Sequence, residues 1–506
     1  MPTSQIRSGA ILSYLSLFLG SLISIVYTPI MLRMLGQSEY GLISLANSVV
    51  GYLSLLNLGL GSAMVRYITK YKVAGDKEKE YAIITLFLKL YSVIGLIVLL
   101  AGIILVWNAD GLFSQSLTER EFHRLRILLL LMTANMVIGM VSSVFYSVIM
   151  AYERFVFTKV VGIINTILMP LIMLPLLYLG FQSVGMTVAS TCLNIINVLI
   201  IIVYNFRTLK IRLKNQHFER SFLKELFGFS FYIIFAMIVD KIYWGTDQFI
   251  LGAISGTVAV AIYNVGANFT TYFMSFSTAI TGLFLPRLTE MNERKASPQE
   301  FSELFIKVGR VQFLILCFVL GGFITLGKPF IILWAGADYE QAYYIALVIL
   351  VPFVVPLIQN LGLQLMYAKN MHKFRSLVLF AIAILNVLAS IPLARLYGGI
   401  GCALVTGLSF IIGQILILNW FYYKKMHLDI FLFWKNIGKM AFFFCLILIS
   451  IFILCDFYPI TTWGKFIIAG SVYSILYITF MWNGVMNAYE KQLIGCYIPI
   501  LKKKFT

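Results

Sequence analysis

The sequence predicts an all-α polytopic membrane protein of about 14 transmembrane helices, two six-helix bundles related by pseudo-twofold symmetry plus two C-terminal helices. Three observations carry this. The 506 residues are 60% hydrophobic and only 12% charged, against about 25% charged in soluble domains. The apolar residues gather in runs of about 20 or more, each long enough to cross a bilayer as a helix. A transmembrane β-barrel would show alternating segments of about ten residues instead.

The spans follow in order. Residues 10–34 form an apolar run behind one basic residue, too long for a signal-peptide core and therefore expected as an uncleaved first span. Residues 40–64 end in the basic cluster Arg66, Lys70 and Lys72, and Gly59 and Ala63 give a small-xxx-small face for close helix packing. Spans 82–107 and 125–150 come next, the second led by Thr118-Glu119-Arg120-Glu121, a helix cap. Span 156–180 carries Pro175 near its end, and 184–205 completes the first bundle. Spans 226–251 and 257–285 open the second. Ser297-Pro298-Gln299-Glu300 has capping-box spacing with proline at the first helical position, and leads into 306–333. Spans 341–367, 374–395 with Pro392, and 399–423 end that bundle; 436–455 and 464–485 lie beyond it. The expected divisions are 1–215, 216–430 and 431–506, the last with a basic tail.

Charge orients the spans. With the N-terminus in the cytoplasm, 30 of the 39 Lys and Arg fall on cytoplasmic segments and span ends and 7 on the outer side. Such an imbalance across short loops is the positive-inside signature, and it places both termini in the cytoplasm. It also accounts for the net charge of +18 without a nucleic acid, since the bases form no aromatic-interleaved patch. The six cysteines show no metal-ligand spacing, and no GxxxxGK[ST] motif calls for ATP.

The chain resembles itself at a shift of about 216–221 residues. Val65-Arg66-Tyr67-Ile68-Thr69 answers to Pro286-Arg287-Leu288-Thr289, and Ser183-Val184-Gly185 to Gly399-Ile400-Gly401. Arg66 to Lys89 is 23 residues, as is Arg287 to Arg310. Parallel repeats of this kind occur in transporters that bind substrate between their halves and rock one against the other.

Pro29-x3-Arg33-x-Leu35-Gly36-x3-Tyr40-Gly41-Leu42 and Asn57-Leu58-Gly59-Leu60-Gly61-Ser62-Ala63-x2-Arg66-Tyr67 resemble the N-terminal region of polysaccharide flippases, the Wzx-type oligosaccharide exporters of the MOP (MATE-like) superfamily. Asp247-Gln248-x-Ile250-Leu251-Gly252, then Tyr263, resembles that family's seventh helix, where a basic residue often follows the Asp. The resemblance implies transfer of an undecaprenyl-pyrophosphate-linked oligosaccharide to the outer leaflet of a bacterial inner membrane, feeding O-antigen, capsule or exopolysaccharide. It implies a transporter, not an enzyme. Membrane lipids and a polysaccharide polymerase are the expected partners, and a monomer the expected state.

That substrate needs a polar cleft and a cation, because its hydroxyl-rich head loses hydrogen bonds in hydrocarbon. Lys241 and Asp240 lie near the middle of the seventh span, with Asp247 two turns on. Charges at that depth face a cavity or each other. Lys241 is therefore a candidate phosphate contact, and Asp240 and Asp247 candidates for a coupling cation, sodium or proton; the alternative is a buried structural ion pair. Lys89 and Arg310 would either snorkel or, with Arg66 and Arg287, rim an inward-open cleft. Arg33 would hold phosphate on the outer side or pair with Glu39. Asn194 and Asn197, and Asn264 and Asn268, present amides on one helix face each, for sugar hydroxyls or for helix–helix contact; Asn47 also lies within a span. No cofactor is expected. The membrane potential alone would favour export of an anionic head by about 2.3 kcal/mol per charge per 100 mV. Competing readings are a lipid II flippase, a MATE-type multidrug exporter with acidic lumenal residues, and, in a different class, a polymerase or glycosyltransferase needing a long catalytic outer loop.

Overall fold

The computed structural model describes residues 2–57, 60–216, 220–369 and 371–495. Gly59, Cys496 and the basic tail Lys502, Lys503 and Lys504 lie outside the described residues, as do the side chains of Arg7, Arg220, Lys224 and Lys373. Among the described residues every regular element is helical. In order these are α1 (Pro2–Leu53), α2 (Leu60–Val73), α3 (Lys77–Phe113), α4 (Glu119–Ala151), α5 (Phe155–Tyr178), α6 (Gln182–Arg207), α7 (Arg220–Ile254) and α8 (Gly256–Thr281). Then come α9 (Leu285–Glu293), α10 (Pro298–Trp334), α11 (Gln341–Ile358), α12 (Asn360–Ala368), α13 (His372–Ser409), α14 (Leu418–Lys424), α15 (Ile430–Phe457), α16 (Trp463–Gly484) and α17 (Ala488–Gly495).

Ten apolar segments of the described chain are long enough to cross a membrane. Two of them, Leu15–Asn57 and Phe374–Lys424, are each interrupted at a glycine in the left-handed region, Gly36 (φ 76°) and Gly398 (φ 56°). Each break falls where two consecutive spans were expected, at 34–40 and 395–399. Glycine takes that conformation without the Cβ clash other residues meet. The second span is itself divided: α1 ends at Leu53, a 3-10 turn covers Ser54–Asn57, and α2 carries Arg66.

The exposed surface is apolar. On α3, Val93, Leu96, Ile97, Leu100 and Ile104 are all exposed, recurring at helical spacing along one face. That arrangement suits lipid and would be costly in water. This is a multi-pass membrane protein.

The chain forms two compact units, Met1–Ala261 and Ile262–Thr506. In the first, α1 packs on α4, α5 and α6, and α7 packs on α1, α2 and α3. Its core gathers Met64 and Ile68 of α2, Ile83, Phe87 and Tyr91 of α3, and Val144 and Val148 of α4. One end is clamped by a polar cluster. Glu80, fully buried, takes Lys77 at 2.9 Å and the Tyr152 hydroxyl at 2.5 Å. Lys72 donates to the Ala151 carbonyl at 2.9 Å and lies over the Tyr152 ring, a cation at the C-terminus of α4, where the helix dipole favours it.

The opposite end turns on Glu121. Thr118 and Glu121 close the expected capping box on α4. Glu121 also accepts from the hydroxyls of Ser38 at 2.6 Å and Thr257 at 2.7 Å, and Ser116 donates to the Gly252 carbonyl at 2.6 Å. One carboxylate thus fastens the break in α1 and the start of α8 to the head of α4.

In the second unit, Ser297 and Glu300 form the expected capping box with Pro298 in the first turn. The helix they start, α10, supports α15 and α16. Phe444 and Tyr473 pack against Gly321 of α10, where a Cβ would crowd both rings. Tyr473 and Tyr477 donate to the carbonyls of Phe318 at 2.6 Å and Leu314 at 2.8 Å. Buried amides tie α8, α10 and α12: Gln312 donates to Ser277 at 3.2 Å, and Asn360 to Ser277 and Thr281 at 3.1 Å.

Candidate functional site

Lys241 lies 21 residues into the 35-residue α7 and is partly buried. Two glycines seat it. Its ammonium lies where a Cβ on Gly51 of α1 would stand, and Gly245, one turn along α7, leaves room for the lysine stem. The ammonium is 5.6 Å from the centre of the Tyr52 ring, within cation–π range. Tyr52 is fixed in turn by a 2.7 Å hydrogen bond to Thr246, which donates to Ile242. Ser48 donates to the Gly245 carbonyl at 2.8 Å. Lys241 takes part in none of the ion pairs among the described residues. The alternative of a structural ion pair through Lys241 therefore loses its support. Asp240 is exposed, whereas Asp247 is buried at 5% exposure.

Gly51 also belongs to the wall of an open cavity of about 520 Å³ lined by α1, the 3-10 turn that follows it, α4, α5 and α6. Asn47 and Gly51 of α1 line it together with Ser54 of the following 3-10 turn and Asn135 of α4. Asn135 donates to Thr191 at 2.7 Å and accepts from Asn194 at 3.2 Å. Asn194 thus joins α6 to α4 at the edge of the cavity. Asn197 buries its side-chain oxygen without a partner among the described residues. Asn264 is half-buried and Asn268 exposed.

The expected cationic rim divides. Arg66, Lys89 and Arg287 are exposed, Arg66 beside the Tyr67 ring. Arg310 departs from the expectation. It is buried and bidentate to Glu490 of α17, at 2.5 and 2.9 Å, with a further bond to the Val485 carbonyl at 3.0 Å. A buried guanidinium needs such a partner, and this one comes from beyond the repeat. Arg33 is exposed. The pairing expected between it and Glu39 is taken by Arg124, which with Ser183 occupies the Glu39 carboxylate.

Sequence reasoning found Lys241 but not its seat. Gly51 and Gly245 carry no motif, and Gly51 and Tyr52 come from α1, nearly 200 positions away from Lys241 in the chain. Asn135, Thr187 and Ser190 were likewise silent, because single polar residues in apolar helices are common.

Several known proteins are similar to this chain. A Shigella flexneri protein named "Putative O-antigen transporter" is 24% identical over 409 residues, 79% of this chain and 94% of that one. The Bacillus subtilis "Uncharacterized membrane protein EpsK" is 22% identical over 390 residues, 75% and 74% of the two chains. Among solved structures, the lipid II flippase MurJ in an inward closed conformation matches with a TM-score of 0.73 at 17% identity, over 96% of this chain and 99% of that one. An inward-facing multidrug MATE transporter of the MOP superfamily matches at 0.60 and 14% identity, over 79% and 93%. The structural likenesses show that this chain shares the fold of those two transporters. A family model described as polysaccharide biosynthesis protein matches residues 6–292, more than half of the sequence, and the chain belongs to that family.

Proposed function

We propose that this protein is a flippase that carries an undecaprenyl-pyrophosphate-linked oligosaccharide from the cytoplasmic to the outer leaflet of a bacterial inner membrane. The product would enter O-antigen, capsule or exopolysaccharide. The observation that carries this reading is Lys241: a cation seated within a span by two glycines, beside a cavity with one polar wall. A charge at that depth is retained for function by default, and an ammonium recognises phosphate as a point charge. The curated relative named as an O-antigen transporter supports the same substrate class.

Alternating access of two six-helix repeats, with both termini in the cytoplasm, is the mechanism we attach to it. The exposed Lys89, Arg66 and Arg287 would attract the anionic head at the basic side. Lys241 would then replace the water lost from the pyrophosphate, and Asp240 or Asp247 would take a coupling cation. Arg310 is left out, because Glu490 already occupies it. A cationic drug as substrate is disfavoured, since among the described residues no carboxylate lines the cavity beside Lys241.

The test replaces Lys241 and Lys89 separately with alanine and follows surface polymer in cells, with membrane levels of each variant checked. Loss of polymer in Lys241→Ala at normal protein level is expected. Normal polymer in both variants would remove the proposed phosphate contacts. Polymer retained alongside failed peptidoglycan synthesis would favour lipid II as the cargo.

A further inference from the structure

At the basic end of the first unit a second cavity, an open groove of about 460 Å³, runs along α6 beside α5. Ile196, Leu199, Ile200 and Val203 of α6 recur at helical spacing along it and are 44–54% exposed. Phe157 of α5 and Tyr204 of α6 also line it, their rings stacked with centres 3.7 Å apart. Arg207 and Thr208 stand at its end, where α6 stops. The groove shares no lining residue with the cavity beside Lys241.

Length and charge together say what fills it. From Ile196 to Arg207 the α6 helix rises about 17 Å at 1.5 Å per residue. One leaflet of hydrocarbon is about 15 Å deep, half of the roughly 30 Å core. The groove is therefore as long as one leaflet is deep, with a guanidinium at the head-group end. More cations follow in 208–216. That segment is pinned on α3: Ile211 is buried, Tyr81 donates to the Lys210 carbonyl at 3.4 Å, and the Lys214 N–H donates to Thr85 at 2.9 Å. The Lys214 ammonium is occupied by Glu78 at 2.5 Å. Arg207, Lys210, Arg212 and, at the start of α5, Arg154 are exposed. They take part in none of the ion pairs among the described residues. An aliphatic groove thus ends in positive charge that no carboxylate of the described chain balances.

Taking the basic ends of the helices as cytoplasmic, we infer that this groove holds one anionic phospholipid of the cytoplasmic leaflet. An acyl chain lies along the aliphatic face of α6, and the head-group phosphate sits on Arg207. Basic pockets between membrane helices on the cytoplasmic side recognise anionic head groups, and a guanidinium can fork onto two phosphate oxygens. A zwitterionic lipid fills the same groove but brings no net charge to balance the arginine. The inference concerns a lipid of the surrounding membrane and does not depend on what the protein carries.

The test titrates the full chain, purified in detergent, with single lipids and counts bound molecules by native mass spectrometry. The probes are phosphatidylglycerol and phosphatidylcholine with identical chains, and glycerol phosphate as the head alone. The wild type is expected to take up one phosphatidylglycerol about tenfold more tightly than phosphatidylcholine, the worth of one charge-assisted hydrogen bond. That ratio should fall towards one in Arg207→Gln. In Leu199→Trp, which fills the groove, both affinities should fall. Both positions are exposed, so the melting temperature without lipid should match the wild type in each variant. A ratio near one in the wild type overturns the inference. So does an undiminished ratio in Arg207→Gln, or an undiminished phosphatidylglycerol affinity in Leu199→Trp. Glycerol phosphate bound as tightly as the whole lipid would make this a free-anion site and overturn it too. A photo-crosslinker at position 199 that joins a protein helix in place of lipid in native membranes would overturn it in favour of a protein partner.

Discussion

Truncating Glu490 to alanine tests whether Arg310 is a structural residue. The side chains of Arg310 and Glu490 are 9% and 1% exposed. The carboxylate accepts from Arg310 Nε at 2.5 Å and Nη2 at 2.9 Å, and from the backbone N–H of Asn487 at 2.9 Å. Asn487 returns a bond to the Glu490 N–H at 2.9 Å, so the pair also caps α17. In Glu490→Ala the guanidinium keeps only the Val485 carbonyl. Breaking one side of a buried pair costs about 3–5 kcal/mol, and losing the cap adds up to about 1 kcal/mol. At about 1.4 kcal/mol per decade, the local opening of α17 should become at least about 100-fold more frequent. Hydrogen–deuterium exchange over residues 488–495 reads this directly in nanodiscs. Arg310→Met with Glu490→Leu should recover most of the protection, since an apolar pair in place of a buried ion pair is often neutral. Exchange within about twofold of wild type in Glu490→Ala would refute the reasoning. A double variant that restores protection yet abolishes surface polymer would return Arg310 to the substrate path.

Two smaller predictions concern other joints of the fold. A Cβ on Gly41 would run into the backbone of Thr257, which cannot swing aside as a side chain can. Gly41→Ala should cost about 1–3 kcal/mol by overpacking, visible as a lowered melting temperature in detergent, and an unchanged melting temperature would show that this contact is loose. Asp76 caps α3, and the Lys79 backbone N–H, with the Lys79 side chain beside it, holds its carboxyl below the usual carboxylate range. A lowered folded value means stability present above the unfolded value of about 3.9 and lost as pH falls through the folded one. Exchange at the start of α3 should therefore rise only below about pH 4, and Asp76→Asn should flatten that rise.

What was legible in the sequence was whatever local chemistry dictates. Apolar run length gave the membrane class. The Thr118 and Ser297 capping boxes were visible because both partners lie within three residues of one another. Glycine was harder to interpret. Gly59 and Gly61 crowd one stretch, yet a Cβ on Gly61 would meet nothing. Gly51 and Gly245 stand in unremarkable stretches and together make room for the one lysine within the seventh span. A glycine's role depends on what approaches it, and the lysine that approaches Gly51 is distant in sequence.

The repeat shows the same limit from the other side. Lys89 and Arg310 each lie 12 residues beyond the first residue of their helix, α3 and α10, and the equal spacing of 23 residues leads to the expectation of a shared role. Spacing governs where a residue sits on its own helix; it says nothing of what is packed against it. Lys89 is exposed on α3. Arg310 meets α17, which lies beyond the expected second bundle, 216–430. A repeat-related pair therefore diverges wherever a non-repeated segment covers one copy. On the proposed function, Arg310 therefore drops out of the anion path while Arg287 stays exposed on it, and the phosphate contact is Lys241 of the first unit, seated by two glycines beside a cavity that no carboxylate lines among the described residues.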